Sequence, residues 1–215
     1  MIFPHQHIRL LLVISLLLLI VGIWMWVGNT PQGGLMPNNS EYENITVIEL
    51  PMYNLVLTVP KLLTWVPESP QMHTTGAFLV TNAEIIGHAL FSRDAYPGTN
   101  LFDAYLQVAV AKGGSEAQCS TGQQDGNTRV LQFTRSGTVA GRIAYAGTFN
   151  GAAAGTFFDG VVTRVYANGT CYEFSSNIFS GNMGNYPEGA ITEFPEDEVR
   201  SVMQSIINSA ELTTQ

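Results

Sequence analysis

The sequence predicts an α+β domain carried behind an N-terminal transmembrane helix. Three observations predict it. Residues 152–178 (AAAGTFFDGVVTRVYANGTCYEFSSNI) read as two strands joined at Asn168-Gly169. Asn-Gly between β-branched and aromatic runs is a strong hairpin signal, because a two-residue type I′ turn needs positive φ at both central positions. Residues 195–212 carry apolar side chains at helical spacing. Residues 10–27 (LLLVISLLLLIVGIWMWV) hold no charge, and such a run makes about 27 Å of helix, close to the hydrocarbon thickness of a bilayer.

The N-terminal run ends on Trp24 and Trp26, where an aromatic belt belongs. Arg9 precedes it and no Lys or Arg follows until Lys61. The positive-inside rule therefore leaves the N-terminus in the cytoplasm and puts the rest outside, as a single-pass protein of the inner membrane. A cleaved signal peptide is the alternative; its apolar region is shorter and ends at a small-x-small site, and no clean Ala-x-Ala follows here. No cysteine follows the run, which excludes an N-terminal lipid anchor. The chain divides into an anchor at 1–28, a linker at 29–44 rich in Pro, Gly and Asn, and an extracytoplasmic domain at 45–215. A domain of about 170 residues is long enough for one core. The net charge is −8, and the nine Lys and Arg are scattered singly. That pattern argues against nucleic acid as a partner.

In chain order, residues 55–59 predict a strand ended by Pro60, and residues 61–70 a helical turn or irregular segment that buries Trp65 between prolines. Residues 78–83 predict a strand; residues 85–91 are ambiguous. Residues 100–111 alternate, placing Phe102, Ala104, Leu106, Val108 and Val110 on a core face. Residues 112–127 are a polar loop holding Cys119. Residues 129–133 and 141–149 predict short strands, with Asn150-Gly151 and Gly155 marking the turn before the central hairpin.

In that hairpin Ala167 pairs with Thr170, which sets Tyr166 opposite Cys171, Val165 opposite Tyr172, Arg164 opposite Glu173 and Thr163 opposite Phe174. Val161, Thr163, Val165, Tyr172 and Phe174 share the expected core face; Val162, Arg164, Tyr166, Cys171 and Glu173 share the other. The cross-strand Arg164–Glu173 pair supports this register and is worth about 0.2–1 kcal/mol. After a Gly-Asn loop at 180–189 comes the helix. Pro195 suits its first position, Glu196, Asp197 and Glu198 meet the positive end of its dipole, and Val199, Val202, Met203, Ile206, Ile207 and Ala210 form one stripe.

Outside the cytoplasm, two cysteines most simply make one disulfide, Cys119 to Cys171. Closing a loop of that length is worth about 4 kcal/mol at most. A redox pair at Cys-x-x-Cys spacing is absent, and two cysteines with the distant His73 and His88 do not make a zinc site. No Gly-x-Ser-x-Gly elbow accompanies the histidines. Asp125-Gly126-Asn127 is too sparse for a calcium loop. Asn38, Asn44 and Asn168 fit the N-glycosylation pattern, which carries meaning only in a eukaryotic secretory route.

The stretches YNLVLTVP, PGTNLFDAYLQVAVA, the Cys-bearing loop, AAAGTFFDGVVTRVYANGTCYEF, NYPEG and IINSAEL follow one another. This order resembles a widespread set of uncharacterised bacterial membrane-anchored envelope proteins. Their pattern is a Gly-Thr-Asn-Leu strand, a Cys loop, an Ala-Gly turn, a Tyr-Arg strand, a Cys-Tyr-Glu strand, a Tyr-Pro-x-Gly loop and a helix. Cys119, Ala154-Gly155, Cys171-Tyr172-Glu173 and Tyr186-Pro187-Glu188-Gly189 match it, whereas Arg164-Val165-Tyr166 departs in order. The likeness covers residues 53–212. More distantly the layout is similar to the PsbP-like fold, an antiparallel sheet flanked by helices and ending in one. The resemblance implies that fold and an envelope location; it brings no catalytic residues.

Function is therefore expected to be non-enzymatic, without cofactor or metal: binding or scaffolding in the cell envelope, with the membrane and an envelope protein or small ligand as partners. Two alternatives stand beside it. One is a hydrolase whose site assembles from His88, Asp103 and Glu173; the other is a structural or adhesion domain.

Overall fold

The computed structural model describes residues 44–68, 82–92, 94–121, 123–124 and 130–213. In chain order these form β1 (Ile45–Leu50), β2 (Leu55–Pro60), β3 (Leu63–Pro67), β4 (Glu84–Phe91), β5 (Leu101–Lys112), α1 (Glu116–Ser120), β6 (Gln123–Gln124), β7 (Val130–Leu131), β8 (Thr134–Val139), β9 (Arg142–Ala153), β10 (Thr156–Ala167), β11 (Thr170–Gly181), α2 (Glu196–Asn208) and β12 (Glu211–Leu212). Single 3-10 turns lie at Pro51–Tyr53 and Met183–Asn185. Arg9, Trp24, Trp26 and the whole expected anchor and linker up to residue 43 lie outside the described residues. Among the described residues no helix is long and apolar enough to cross a membrane.

A seven-stranded antiparallel sheet, ordered β3-β4-β5-β11-β10-β9-β8, forms the body. β11 is its central strand. Asn168 and Gly169 both take positive φ, 51° and 78°, and the β10–β11 register runs Ala167–Thr170, Tyr166–Cys171, Val165–Tyr172, Arg164–Glu173, Thr163–Phe174, as the alternation requires. One face packs its apolar row (Ala104, Leu106, Val108 and Val110 of β5, Tyr172 and Phe174 of β11, Val165 of β10) against α2 and β2. The helical stripe Val199, Val202, Met203, Ile206, Ile207 and Ala210 is buried there throughout. β2 pairs with β1 and β12 in a separate three-stranded sheet that completes this layer.

Several expectations need correction. The described residues are mostly sheet, and the one long described helix covers one face only. The segment holding Trp65 is neither a helical turn nor irregular: β3 pairs with β4, at the sheet edge, where a proline without N–H is tolerated. Its indole lies against Gly87, where a Cβ would stand 2.3 Å from the ring. The ambiguous stretch at 85–91 is β4. The strand expected at 78–83 falls outside the described residues except for Asn82 and Ala83, which are not strand. Phe102, expected in the core, is half exposed. The polar loop after β5 contains α1, closed by a capping box between Ser115 and Gln118.

The strand expected at 129–133 is reduced to the two-residue β7, paired with β6, and β8 lies beyond it. Asn150-Gly151 is not a turn but part of β9, whose glycine leaves room for the Phe158 ring. The turn lies at Ala154-Gly155, with φ of 49° and 82°. Ala140-Gly141 makes the turn before it in the same way, with φ of 50° and 70°. β8 to β11 are thus a meander on three tight turns. Finally, α2 stops at Asn208, because residues 211–212 leave the helix to pair with β2.

Candidate functional site

The face opposite α2 differs most from expectation. Its strands place Arg164, Glu173, Gln107, His88, Ser175 and Asn177 on one side of the sheet, and all six are buried. Arg164 and Glu173 are not a solvated surface pair: each side chain is 1% exposed. Arg164 Nε donates to Glu173 Oε2 at 2.8 Å. Its Nη1 donates to the carbonyls of Cys119 (3.4 Å) and Thr121 (3.2 Å). The guanidinium also lies 4.1 Å from the centre of the Phe133 ring, within reach of a cation–π contact. Burial pulls the Arg164 pKa below its ordinary value, and the Glu173 carboxylate beside it opposes that pull.

Cys119 and Cys171 form the disulfide, with Cα atoms 5.6 Å apart. Both are buried against Ala111, with Ala83 and Tyr166 packed around them. Tyr166 Oη donates to the Gly114 carbonyl at 2.9 Å. The ion pair, the disulfide and this hydrogen bond therefore hold one loop, 113–121, down on the centre of the sheet. Their role is to clasp that loop.

His88 and Gln107 face each other across β4 and β5, with His88 Nε2 3.3 Å from Gln107 Oε1. His88 Nδ1 and Gln107 Nε2 have no hydrogen-bond partner among the described residues. Burial lowers the His88 pKa from its ordinary 6.5, against smaller upward pulls from the Gln107 hydrogen bond and the Glu68 charge. Asp103 lies four residues from Gln107 along β5 and is exposed, about 13 Å away at the rise of a strand. Glu173 is engaged with Arg164. The three residues of the hydrolase alternative thus share a face without converging. Among the described residues no group of three or more His, Cys, Asp or Glu could hold a metal.

What does converge is a groove of about 520 Å³ on the α2 side, at the far end of the central hairpin. Phe157 and Asp159 of β10, Ile178 and Ser180 of β11, and Phe194 and Glu196 from the entry to α2 line it. Asn100 positions the last two. Its Nδ2 donates to the Gly181 carbonyl (2.9 Å) and its Oδ1 accepts from Phe194 N–H (2.9 Å), tying the strand end to the segment that enters the helix. Arg200, one turn into α2, joins the walls: Nη2 donates to Asp159 Oδ2 (2.6 Å) and Nε to Glu196 Oε1 (2.8 Å), with Nη2 also 2.7 Å from that oxygen in the ion pair. No motif marks this groove in the sequence. The only local sign was the Glu196–Arg200 spacing of four, which puts both on one helix face.

No family model matches the chain, and no curated protein matches it in sequence. Among solved structures it is similar to LpqN, involved in cell envelope biogenesis of Mycobacterium tuberculosis: 12% identity, 74% of this chain and 83% of that one, TM-score 0.42. It is also similar to the cyanobacterial PsbP (CyanoP) of Synechocystis sp. PCC 6803: 9% identity, 86% of this chain and 99% of that one, TM-score 0.43. Likeness at these scores is one of general layout and bears no functional argument.

Proposed function

We propose that the chain is a binding module of the bacterial cell envelope, held at the inner membrane by residues 1–28 and recognising its partner in the groove at the entry to α2. The groove carries this reading. It is prearranged by Asn100 and Arg200, yet it leaves Phe157 46% exposed, and an apolar ring beside a shaped concavity is surface that a partner covers. The buried disulfide supports an oxidising compartment. The dispersal of His88, Asp103 and Glu173 supports binding over catalysis. The adhesion alternative draws on Ile45 and Val47, exposed on β1 at the edge of the small sheet.

The test is site-specific photo-crosslinking of the full-length protein in native membranes, with a photoreactive phenylalanine at position 157 or, separately, at position 47. A discrete adduct from 157 that disappears with Phe194→Ser supports the groove. An adduct from 47 alone favours adhesion through β1, and no adduct at 157 overturns the groove as the recognition site. Sodium carbonate extraction tests the anchor, which requires the protein to stay in the membrane pellet.

A further inference from the structure

We infer that the groove accepts a basic side chain of a protein partner, a Lys or Arg flanked by aromatic residues; this rests on the groove being the recognition site. Arg200 bonds to one oxygen of each carboxylate, Asp159 Oδ2 and Glu196 Oε1. The second oxygen of each is left for another donor, and the side chains are 44% and 50% exposed. Two carboxylates around one guanidinium leave a net charge of about −1, on two residues that line the groove.

The surroundings add to that sign. Glu193, Asp197 and Glu198 occupy the same short stretch. The N-terminus of α2 opposes them with only about half a positive charge, so this stretch carries a net negative charge, even with Glu198 accepting from Tyr96 Oη at 3.0 Å. The rings of Phe157 and Phe194 and the side chain of Ile178 supply the apolar part of the same concavity. A Lys or Arg matches both, since its methylene stem lies on apolar surface while its head reaches the carboxylates. An anionic or purely apolar ligand would leave Asp159 and Glu196 either repelled or stripped of water without a partner.

The probe is the acetylated, amidated pentapeptide Gly-Phe-Lys-Phe-Gly, titrated into the full-length, isotope-labelled protein and followed by NMR. The expected result is saturable shifts at Phe157, Asp159, Ile178 and Ser180, with the Gln-for-Lys peptide bound about tenfold more weakly, the scale of a lost charged hydrogen bond. Asp159→Asn with Glu196→Gln should abolish the discrimination between the two peptides; Phe157→Ser should weaken both alike. Because these side chains are partly exposed, an unchanged unfolding midpoint verifies the fold of each variant. Equal binding of the two peptides overturns the basic ligand and leaves the groove standing. If neither peptide produces groove shifts while position 157 still crosslinks in membranes, the ligand class is again wrong and the groove right. If shifts and crosslink are both missing, the groove reading itself falls.

Discussion

Glu173→Gln is the sharpest test of how the centre of the sheet is held. The substitution keeps the shape and an acceptor for Arg164 Nε but removes the charge. Arg164 stays 1% exposed and keeps its bonds to two carbonyls at 3.2 and 3.4 Å, neither of which carries a charge. At an effective dielectric near 20, unit charges about 4 Å apart attract by about 4 kcal/mol. Breaking a buried pair from one side costs about 3–5 kcal/mol, because the surviving charge cannot return to water. We expect a loss of about 3–4 kcal/mol, read as a lower urea midpoint at constant slope under oxidising conditions, and a fall in Tm of about 10 °C for a domain of this size. The double variant Arg164→Met with Glu173→Leu should recover part of the loss, since neither charge remains. It should stay about 1–3 kcal/mol below wild type, because the carbonyls of Cys119 and Thr121 lose their donor. A cost for Glu173→Gln below about 1 kcal/mol, the value of an exposed pair, would refute the reasoning.

Three further outcomes follow from the same packing. Cys171→Ser should lower stability by up to about 4 kcal/mol under oxidising conditions, the loop-entropy ceiling for a bridge spanning 52 residues; a variant equally impaired relative to wild type after reduction would sink the cross-link explanation. His88 is held below its ordinary pKa of 6.5 by burial, although the Gln107 hydrogen bond and Glu68 pull upward, and the Tyr105 ring meets it edge-on. The unfolded chain then binds more protons than the folded one as pH falls through about 6.5, so stability should fall as the pH drops below about 7. His88→Gln should flatten that dependence in urea titrations, and an unchanged slope would clear His88 of it. Gly87→Ala places a Cβ 2.3 Å from the Trp65 ring, so the indole must move. We expect a loss of about 1–3 kcal/mol and red-shifted emission in a background where Trp24 and Trp26 are Phe; unshifted emission would mean that the indole is not seated there.

The hairpin and α2 were legible because their signals are local. Asn168-Gly169 fixes a turn, the turn fixes the register, and the stripe from Val199 to Ala210 fixes a helix face. The turn at Ala140-Gly141 was hidden and the one at Ala154-Gly155 was marked only by its glycine, with Asn150-Gly151 drawn in wrongly beside it, because each has Ala, not Asn, at its first position. Left-handed φ costs a residue with a Cβ about 1–2 kcal/mol, and nothing in Ala140 or Ala154 advertises that the meander imposes it. β8 was hidden because five of its six residues are exposed and only Val139 is buried, so no alternation exists to read. For Arg164 and Glu173, alternation gave the correct side of the sheet but not what lies over it. Their cover is the loop pinned by Cys119, more than forty residues earlier in the chain. The groove was unreadable for the same reason: Asn100 meets Phe194, and Asp159 meets Arg200, only after folding.

The place of the groove follows from a mismatch of lengths. Thirteen residues of α2 make about 20 Å of helix, whereas seven strands at about 4.8 Å spacing span nearly 30 Å. One such helix, packed on β2, β5 and β11, cannot also cover the far ends of β9 and β10. The burial along those strands follows this limit. On the helix side of β9, Ala144 is buried, Ala146 half-buried, and Thr148, Asn150 and Ala152 exposed; on β10 the row passes from buried Val165 and Thr163 through half-buried Val161 and Asp159 to exposed Phe157. An uncovered end would ordinarily be closed with polar side chains. Here a phenylalanine stands in it, with a carboxylate two residues away and another on the helix. The main core, around β2, β5, β11 and α2, does not depend on that end, so changes to Phe157, Asp159 and Glu196 should alter binding while leaving the fold intact. That separation is what makes the groove testable independently of the clasp on the opposite face.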